Sequence, residues 1–260
     1  SPGIPGAPAR FPEIVQIPIL DSTNEELRRR IDAGTCRDGL VIIAGAQTAG
    51  RGRLGRSWAS PSGNLHLSFA RPMDEFNPLT TAMTLVAGQA MARAVEELTG
   101  QRPGLKWPND LQFGDRKIAG ILVEGHSRWQ IIGAGVNVGV LRSELPMELR
   151  DTATSLRELF GTAPEPDHLA ARYLDVFAEL EGALVQRGGI DLALWDRFWT
   201  DRGRRIRASV GGERIDAVAV DVSPLGVLRV RDDAGRIHEV RSGEILHHST
   251  HIGRNDVPGD

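Results

Sequence analysis

Gly50-Arg51-Gly52-Arg53-Leu54-Gly55-Arg56-Ser57-Trp58 is the stretch around which the rest of the chain is organised. It contains three glycines and three arginines and shows no apolar periodicity that could place it in a core. A backbone with this freedom, bearing fixed positive charge, suits a loop that closes over a small anionic ligand. We therefore expect residues 50–58 to bind a nucleotide phosphate beside a carboxylate.

The glycine spacing of this loop matches G-x-G-x-x-G, which in dinucleotide-binding proteins follows a strand and opens a helix. Here the loop follows an apolar run but leads into Ser57-Trp58-Ala59-Ser60-Pro61-Ser62-Gly63, which is typical of a turn. A dinucleotide site is therefore disfavoured, and the sequence contains no G-x-x-x-x-G-K-[ST] phosphate loop. Convergence of glycine N–H groups and guanidinium groups on a phosphate is one interpretation. A solvated basic loop, or a patch that contacts RNA, is the other.

Composition narrows the class of protein. The chain has 260 residues, 40% of them apolar, and a formal net charge of -3, whereas a dedicated nucleic-acid-binding domain is usually basic. The single cysteine, Cys36, excludes an intramolecular disulfide and a cysteine-based zinc site. No apolar run approaches the roughly 18 residues needed to span a membrane. We expect a cytoplasmic protein without membrane contact, with a disordered leader at residues 1–10 and a loose tail at 250–260.

The N-terminal part predicts strands interleaved with helices. Ile14–Leu20 and Gly39–Ala46 are expected to be strands, and Leu65–Phe69 alternates as a half-buried strand should. Ser22 followed by Glu25 is a capping-box pattern that opens a short helix. Further expected features are a helix capped by Asn77, with Pro78 at its first position and Leu79, Met83, Val86, Ala90, Ala94 and Leu98 on its buried face, and a stop at Gly100.

The middle of the chain predicts a hairpin whose polar residues are candidates for a site. Lys117–Glu124 and Trp129–Val138 are expected to pair through a turn at Gly125-His126. Glycines inside the second strand, at 133 and 135, indicate close approach of a ligand or another backbone. Three further features admit either a structural or a ligand-binding role: Lys117 at the strand start, Asn137 within an apolar run, and the Lys106–Asp110 segment.

The C-terminal part changes pattern. A short helix within 151–160 and a long helix capped by Asp167 are followed, after Arg202, by short strands separated by Gly, Pro and Asp turns. We expect a domain boundary there, with a catalytic domain at residues 11–202 and a small barrel at 203–249. His247, His248 and His251 have no acidic or cysteine partners at ligand spacing, and are expected to be a solvated tail.

Six motifs, taken together and in this order, resemble those of biotin protein ligases over roughly residues 14–249. They are Asp21-Ser22-Thr23-Asn24, Gln47, Gly50–Trp58, Lys106–Asp110, Lys117–Glu124 and Gly133–Val138. The resemblance implies an α+β fold: a mixed β-sheet with flanking helices, as in class II aminoacyl-tRNA synthetases and biotin/lipoyl ligases, followed by a small SH3-like β-barrel.

The resemblance also implies a two-step reaction and a set of roles. Biotin would attack the α-phosphate of ATP with Mg²⁺ to give biotinyl-5′-adenylate, and a lysine of a biotin carboxyl carrier domain would take the biotinyl group. Lys117, Arg51 and Arg53 would be catalytic, while metal ligands stay unassigned. The biotin side would comprise Ser22, Thr23, Asn24, Gln47, Arg51, Gly52, Arg53 and Lys117; the ATP side would comprise Arg53, Arg56, Trp58, Asn137, Lys106, Asn109 and Asp110.

Two alternatives compete with this interpretation. A lipoate-protein ligase has a related fold and similar chemistry, and a nucleic-acid-binding module could use Arg51, Arg53, Arg56 and the cluster at 202–207. Regulatory biotin protein ligases carry a DNA-binding winged helix of about 60 residues before the ligase part. Only 20 residues precede Asp21, so we expect the monofunctional type, without DNA binding. The sequence leaves monomer and homodimer open.

Overall fold

The structure is a computed structural model, which describes residues 10–73, 82–210, 213–241 and 246–247. The leader at 1–9, the helix start at Asn77-Pro78, the turn at 211–212 and the tail from residue 248 lie outside the described residues. Within the described ranges no helix has the length and apolarity to cross a membrane.

A seven-stranded mixed sheet forms the centre of the molecule. Its spatial order is β1-β2-β3-β7-β6-β5-β4, with β1 and β2 parallel and every other neighbouring pair antiparallel. The long apolar runs form its middle strands, as expected for strands covered on both faces. The strands are β1 (Glu13–Leu20), β2 (Leu40–Gln47), β3 (Leu65–Pro72), β4 (Gly104–Lys106), β5 (Asp110–Phe113), β6 (Arg116–His126) and β7 (Trp129–Val136).

Helices cover both faces of this sheet. On one face lie α2 (Met83–Thr99) and α4 (Pro166–Arg187), and aromatic side chains of α4 pack against Phe69 of β3. On the other face lies α1 (Thr23–Asp32), whose Leu27 is fully buried against Leu40 and Ile42. The short helices α3 (Leu156–Phe160) and α5 (Leu192–Phe198) complete the described helical elements.

This two-sided cover corrects one prediction. Residues 65–71 of β3 are all buried, so the half-buried interpretation of Leu65–Phe69 is wrong. Leu65, Leu67 and Phe69 face the main core, while His66 and Ser68 are buried on the opposite face by polar neighbours. Alternation along the strand distinguishes two buried environments, and cannot by itself distinguish buried from exposed.

Four local predictions also change. Ser22 is the N-cap of α1 but its side chain makes no capping hydrogen bond, so the capping box is not formed. The β6–β7 hairpin is confirmed, but its turn is at residues 127–128, because His126 still pairs with Trp129. Helix α4 is capped at Glu165, which places Asp167 inside its first turn. Leu98 is 40% exposed and lies outside the buried stripe, whereas the stop at Gly100 is confirmed.

The C-terminal strands form a five-stranded antiparallel sheet of order β11-β10-β9-β8-β12. Its strands are β8 (Arg205–Val210), β9 (Glu213–Val222), β10 (Leu228–Arg231), β11 (Ile237–Val240) and β12 (Leu246–His247). Buried residues of this sheet belong to the same apolar core as the seven-stranded sheet. A boundary near residue 202 and an SH3-like barrel stay predictions.

Trp107 joins the two sheets. Its indole N–H donates to the Gly226 carbonyl at 3.1 Å, and its backbone N–H donates to the buried Asp201 carboxylate at 2.9 Å. The side chain of Trp107 is 2% exposed, and it lies within the Lys106–Asp110 segment singled out in the sequence. The C-terminal sheet therefore supports one of the predicted site segments directly.

Candidate functional site

Two cavities meet on the α1 side of the seven-stranded sheet. The smaller has a volume of about 60 Å³ and the larger about 430 Å³. The larger falls within the range of small-molecule pockets. Five residues line both cavities, and they come from the glycine-arginine loop, the 106–110 segment and strand β6: Gly52, Arg53, Trp58, Asn109 and Lys117.

The smaller cavity has a wall of polar side chains that bind one another. The carboxamide oxygen of Gln47 accepts the Thr23 backbone N–H at 2.8 Å, and the Gln47 amide donates to the Ser60 hydroxyl at 2.8 Å. The hydroxyls of Thr23 and Ser68 lie 2.6 Å apart, and Ser68 donates to the Asn24 carboxamide oxygen at 2.6 Å. Because buried polar groups with satisfied partners keep fixed orientations, this wall is preorganised.

Asp21 anchors the start of this wall. Its carboxylate accepts the Ser22 backbone N–H at 2.8 Å and binds the Arg29 guanidinium through two hydrogen bonds of 2.7 and 2.8 Å. The hydrogen bond from Arg29 lowers the pKa of Asp21 to about 2, so this carboxylate is ionised at neutral pH. The Asp21-Ser22-Thr23-Asn24 segment is thus held by the ion pair of Asp21 with Arg29 and by the hydrogen bonds of Thr23 and Asn24.

Backbone hydrogen bonds join the two ends of the glycine-arginine loop, whose predicted closure over a ligand stays a prediction. Arg51 and Ser57 form an isolated antiparallel bridge, Gly52 N–H donates to Arg56 O at 2.7 Å, and Trp58 N–H donates to Gly50 O at 2.9 Å. At the tip, Leu54 takes a left-handed conformation (φ 56°) and its side chain is 75% exposed. The left-handed region is unfavourable for a branched side chain, so the tip keeps this geometry because the bridge closes it.

Glycines of β6 and β7 make room for side chains of the site. A Cβ on Gly135 would lie 2.5 Å from Nε1 and 2.6 Å from Cε2 of Trp58, and a Cβ on Gly133 would overlap the side chain of Asn24. A Cβ on Gly120 would lie 3.2 Å from Lys117 Nζ and 3.4 Å from the Trp58 ring. The close approach predicted at 133 and 135 is confirmed, and the approaching groups are site side chains.

Lys117 lies where the cavities meet. Its ammonium group is 2.7 Å from the Asp110 carboxylate and 5.3 Å from the centroid of the Trp58 ring. Its backbone is bonded on both sides, because Lys117 N–H donates to Thr152 O at 2.8 Å and Thr154 N–H donates to Lys117 O at 2.9 Å. The lysine is therefore a fixed cation with a defined direction, which the sequence alone left open.

Arg51 and Arg53 leave the loop in different directions. Arg51 forms an ion pair with Glu25 and lies 3.8 Å from the Glu124 carboxylate. Arg53 donates to the Asn109 carboxamide oxygen at 3.0 Å, while the Asn109 amide donates to Ile121 O at 3.0 Å. Arg51 lines the smaller cavity, and Arg53 lines both.

Asn137 donates a hydrogen bond to the protein backbone and also lines the larger cavity. Its amide donates to Thr154 O at 3.1 Å, and its side chain is 4% exposed. The structural role considered from the sequence is therefore present, and the position is also one from which a ligand in the larger cavity could be contacted.

The structure brings together every predicted site residue. All eight residues predicted for the biotin side line the smaller cavity: Ser22, Thr23, Asn24, Gln47, Arg51, Gly52, Arg53 and Lys117. All seven predicted for the ATP side line the larger: Arg53, Arg56, Trp58, Asn137, Lys106, Asn109 and Asp110. Sequence reasoning missed Ser68, which lay inside an apparent core strand, and Leu145, Leu149, Thr152 and Ala153, which carry no motif and wall the larger cavity.

Metal-binding groups are sparse in the part of the chain that the structure describes. It contains no cluster of three or more His, Cys, Asp or Glu side chains that could hold a metal ion. Two carboxylates, Asp110 and Asp115, line the larger cavity. One or two carboxylates are typical of Mg²⁺ sites in which substrate phosphates supply further ligands.

Comparison with known proteins gives consistent similarities. The Biotin/lipoate A/B protein ligase family matches residues 16–140. The biotin--[acetyl-CoA-carboxylase] ligase of Mycobacterium tuberculosis is 34% identical over 251 residues, covering 93% of this chain and 91% of that protein. The bifunctional ligase/repressor BirA of Escherichia coli is 34% identical over 241 residues, covering 89% of this chain and 73% of that protein.

A solved structure extends the similarity to the fold. The biotin protein ligase of Aquifex aeolicus, in complex with biotin and ATP, superimposes with a TM-score of 0.79 at 29% identity. The match covers 91% of this chain and 98% of the Aquifex chain. The arrangement of a mixed sheet flanked by helices is therefore shared with that enzyme.

Proposed function

The chain belongs to the biotin/lipoate A/B protein ligase family, and from that premise we propose that it activates biotin with ATP and transfers it to a carrier protein. In the first step a carboxylate oxygen of biotin attacks the α-phosphorus of ATP, the bond to the β-phosphate oxygen breaks, and pyrophosphate leaves. The products are biotinyl-5′-adenylate and pyrophosphate. The enzyme is a ligase that acts on a biotin carboxyl carrier domain.

The observation that carries this function is the junction of the two cavities. Joining a carboxylate to a phosphate brings two anions together, so cations fixed at the meeting point lower the barrier most. Lys117 and Arg53 line both cavities, and Arg51 lines the smaller one beside them. We assign these three residues the catalytic role, with biotin in the smaller cavity and ATP in the larger.

The remaining site residues take positioning roles in this proposal. Thr23, Asn24 and Gln47 present a fixed pattern of donors and acceptors to biotin, together with Ser22 and Gly52. On the ATP side the contacts come from the glycine-arginine loop, from the segment between β4 and β5, and from the residue after β7, which we place at the adenine: Arg56, Trp58, Lys106, Asn109, Asp110 and Asn137.

Mg²⁺ fits the larger cavity as a partner of ATP. Asp110 and Asp115 are the carboxylates that would hold it, with phosphate oxygens and water completing the coordination. Bound there, the ion would neutralise phosphate charge. Asp110 also binds Lys117 at 2.7 Å, so the same carboxylate orients the lysine that faces the junction.

The second step transfers the biotinyl group to a lysine of the carrier. The lysine amine attacks the acyl carbon of the adenylate, the bond between that carbon and the AMP oxygen breaks, and the amine loses a proton. The loop at 50–58 would shield the adenylate at the junction from water until the carrier arrives.

Further proposals are an SH3-like barrel at residues 203–249, a catalytic domain at 11–202, and action in the cytoplasm.

The two alternatives fare differently. A lipoate-protein ligase shares the family, but the Mycobacterium tuberculosis relative and the solved Aquifex aeolicus structure are both named as biotin ligases. A nucleic-acid-binding module loses its basic cluster, because Arg202, Arg205 and Arg207 form ion pairs with Asp196, Asp233 and Asp216. The expectation that the chain does not bind DNA stays a prediction, which a gel-shift assay over a range of salt concentrations tests.

Pyrophosphate exchange tests the proposed function. Purified protein is incubated with ATP, Mg²⁺ and labelled pyrophosphate, with either biotin or lipoate as the acid. We expect exchange that depends on biotin, followed by a mass increase of one biotinyl group when an isolated carrier domain is added. Exchange with lipoate but not with biotin would contradict the proposal in favour of the alternative.

A further inference from the structure

Four side chains of alternating charge form a closed ring at the edge of the smaller cavity. Arg51 pairs with Glu25, Glu25 lies 3.5 Å from Arg28, Arg28 lies 3.1 Å from Glu124, and Glu124 lies 3.8 Å from Arg51. We call these four residues the charge ring. Glu25 and Arg28 are three residues apart on α1 and thus share a face of the helix.

The ring is connected to the cavity wall at two points. Arg51 lines the smaller cavity, and the second oxygen of the Glu124 carboxylate accepts the Asn24 amide at 2.7 Å. Glu25, Arg28 and Glu124 are less than one-third exposed, whereas Arg51 is 45% exposed. Arg51 is therefore the member of the ring best able to exchange its partner.

The charges of the ring balance only while Arg51 stays in it. A guanidinium bound to protein carboxylates offers fewer N–H groups to the carboxylate of a substrate, so the two anions compete for the same cation. If Arg51 turns to a substrate, Glu25 and Glu124 each lose a cationic partner. This loss is energetically unfavourable because both carboxylates are partly buried, and a buried charge needs a partner. Arg28 contacts both of these carboxylates, and it keeps each of them paired after Arg51 leaves.

We propose that Glu25 and Arg28 are positioning residues that set the affinity for biotin by controlling how readily Arg51 leaves the charge ring. Glu25 holds Arg51 in the ring and so weakens the binding of biotin. Arg28 stays paired with Glu25 and Glu124 when Arg51 leaves, and so strengthens the binding of biotin. The inference rests on the proposed function, because it takes the carboxylate of biotin as the anion that Arg51 meets.

The two residues should have opposite effects. Glu25→Gln removes the competing anion, so we expect the dissociation constant for biotin, measured by titration calorimetry, to fall by about two- to fivefold, the range of a partly exposed ion pair. Arg28→Gln leaves two carboxylates dependent on Arg51, so we expect the constant to rise by a similar factor, about two- to fivefold. A purely structural role predicts weaker binding in both variants, because each loses ion pairs from the same helix face.

Two matched variants on α1 separate the ring from general charge effects. Glu26 binds Arg30 and Arg29, each at 2.9 Å and outside the ring, and Arg29 keeps its two hydrogen bonds to Asp21 when Glu26 is replaced. Glu26→Gln and Arg30→Gln therefore change the net charge of the same helix by the same amounts as the ring variants. We expect both to leave the dissociation constant for biotin unchanged. In an Arg51→Gln background, Glu25→Gln should have no effect on affinity, since its action passes through Arg51.

The outcomes are distinguishable. Wild-type protein that binds no biotin and shows no exchange would overturn the proposed function itself. Wild-type protein that binds biotin, with Glu25→Gln and Arg28→Gln shifting affinity in the same direction, would overturn the charge-ring proposal alone. Equal shifts in Glu26→Gln and Glu25→Gln would do the same. Thermal unfolding of every variant checks that the fold is retained, and Glu25→Asp, which keeps the charge, should restore wild-type affinity in part.

Discussion

The two cavities differ in how their walls are held. The smaller is walled by side chains from α1, β2 and β3 that bind one another, with Thr23, Asn24 and Ser68 all buried. The larger is walled mainly by loops, from the exposed tip at Leu54 to the segment at 145–153. The difference teaches that one half of the site is rigid before any ligand arrives, and the other half is shaped by chain connections.

Removal of Lys117 should produce the largest effect, because this residue belongs to both cavities. We expect Lys117→Ala to reduce biotin-dependent pyrophosphate exchange by about 10²–10³-fold, the loss typical of one preorganised charge-stabilising group. Lys117→Arg should also be poor, since a planar fork does not replace a compact charge. Thermal unfolding should change little, because Lys117 is one-third exposed. Wild-type exchange in folded Lys117→Ala would contradict the assigned role.

Gly135→Ala should disturb both cavities, because Gly135 lines the smaller one and Trp58 lines both. The new Cβ would overlap the Trp58 indole, so the ring must shift, and we expect a loss of about 1–3 kcal/mol in the free energy of unfolding. The KM for biotin and the KM for ATP should both rise. Gly182→Ala is the matched control: no atom lies within 4 Å of the new Cβ, and in helix α4 alanine should add about 0.5–1 kcal/mol.

Ser68→Ala should disturb only the smaller cavity. It leaves the Asn24 carboxamide oxygen without its donor, at a cost of about 1–2 kcal/mol, while the Thr23 hydroxyl keeps its hydrogen bond to Gln47. We expect the dissociation constant for biotin to rise by roughly tenfold, with the KM for ATP unchanged. Ser62→Ala, in an exposed turn, serves as control. A larger effect on ATP than on biotin would mean that the two walls are not independent.

The smallest predicted effect concerns pH and the turn that precedes β3. Burial lowers the pKa of His66, whose ring nitrogen lies 3.2 Å from Pro61 O. Because protonation then favours the unfolded chain, the stability from neutral His66 is complete above its unfolded pKa and declines as pH falls below about 6.5. Between pH 7.5 and 5.5 we expect the free energy of unfolding of the wild type, measured in urea, to fall further than that of His66→Gln. Equal losses would refute this.

Much of this contrast could be predicted from the sequence. Apolar runs marked β2 and the β6–β7 hairpin, and helix periodicity marked α2 and α4. Every residue that the motifs predicted for the site lines one of the two cavities. The motifs could locate the site because each lies in or beside a strand or helix that the hydrophobic pattern of the sequence already predicts.

The features of the site that the sequence did not predict depend on contacts between residues that are far apart in the chain. Ser68 could not be recognised as a wall residue, because only folding brings it to Thr23 and Asn24. Ser22 fits a capping box in sequence, yet its side chain lines the smaller cavity and makes no cap. The direction of Lys117 likewise follows from bonds to residues 152 and 154, far along the chain.

The hydrogen bond from the Trp107 indole to Gly226 has a consequence for any attempt to shorten the protein. The indole fills the space between the Lys106–Asp110 segment and the turn before β10, and the Asp201 carboxylate holds its backbone. A truncation after residue 200 would expose the apolar side chain of Trp107, which lines the larger cavity. A shortened protein that keeps its activity must therefore retain the C-terminal sheet, because this sheet supports Trp107 whether or not it contacts a substrate.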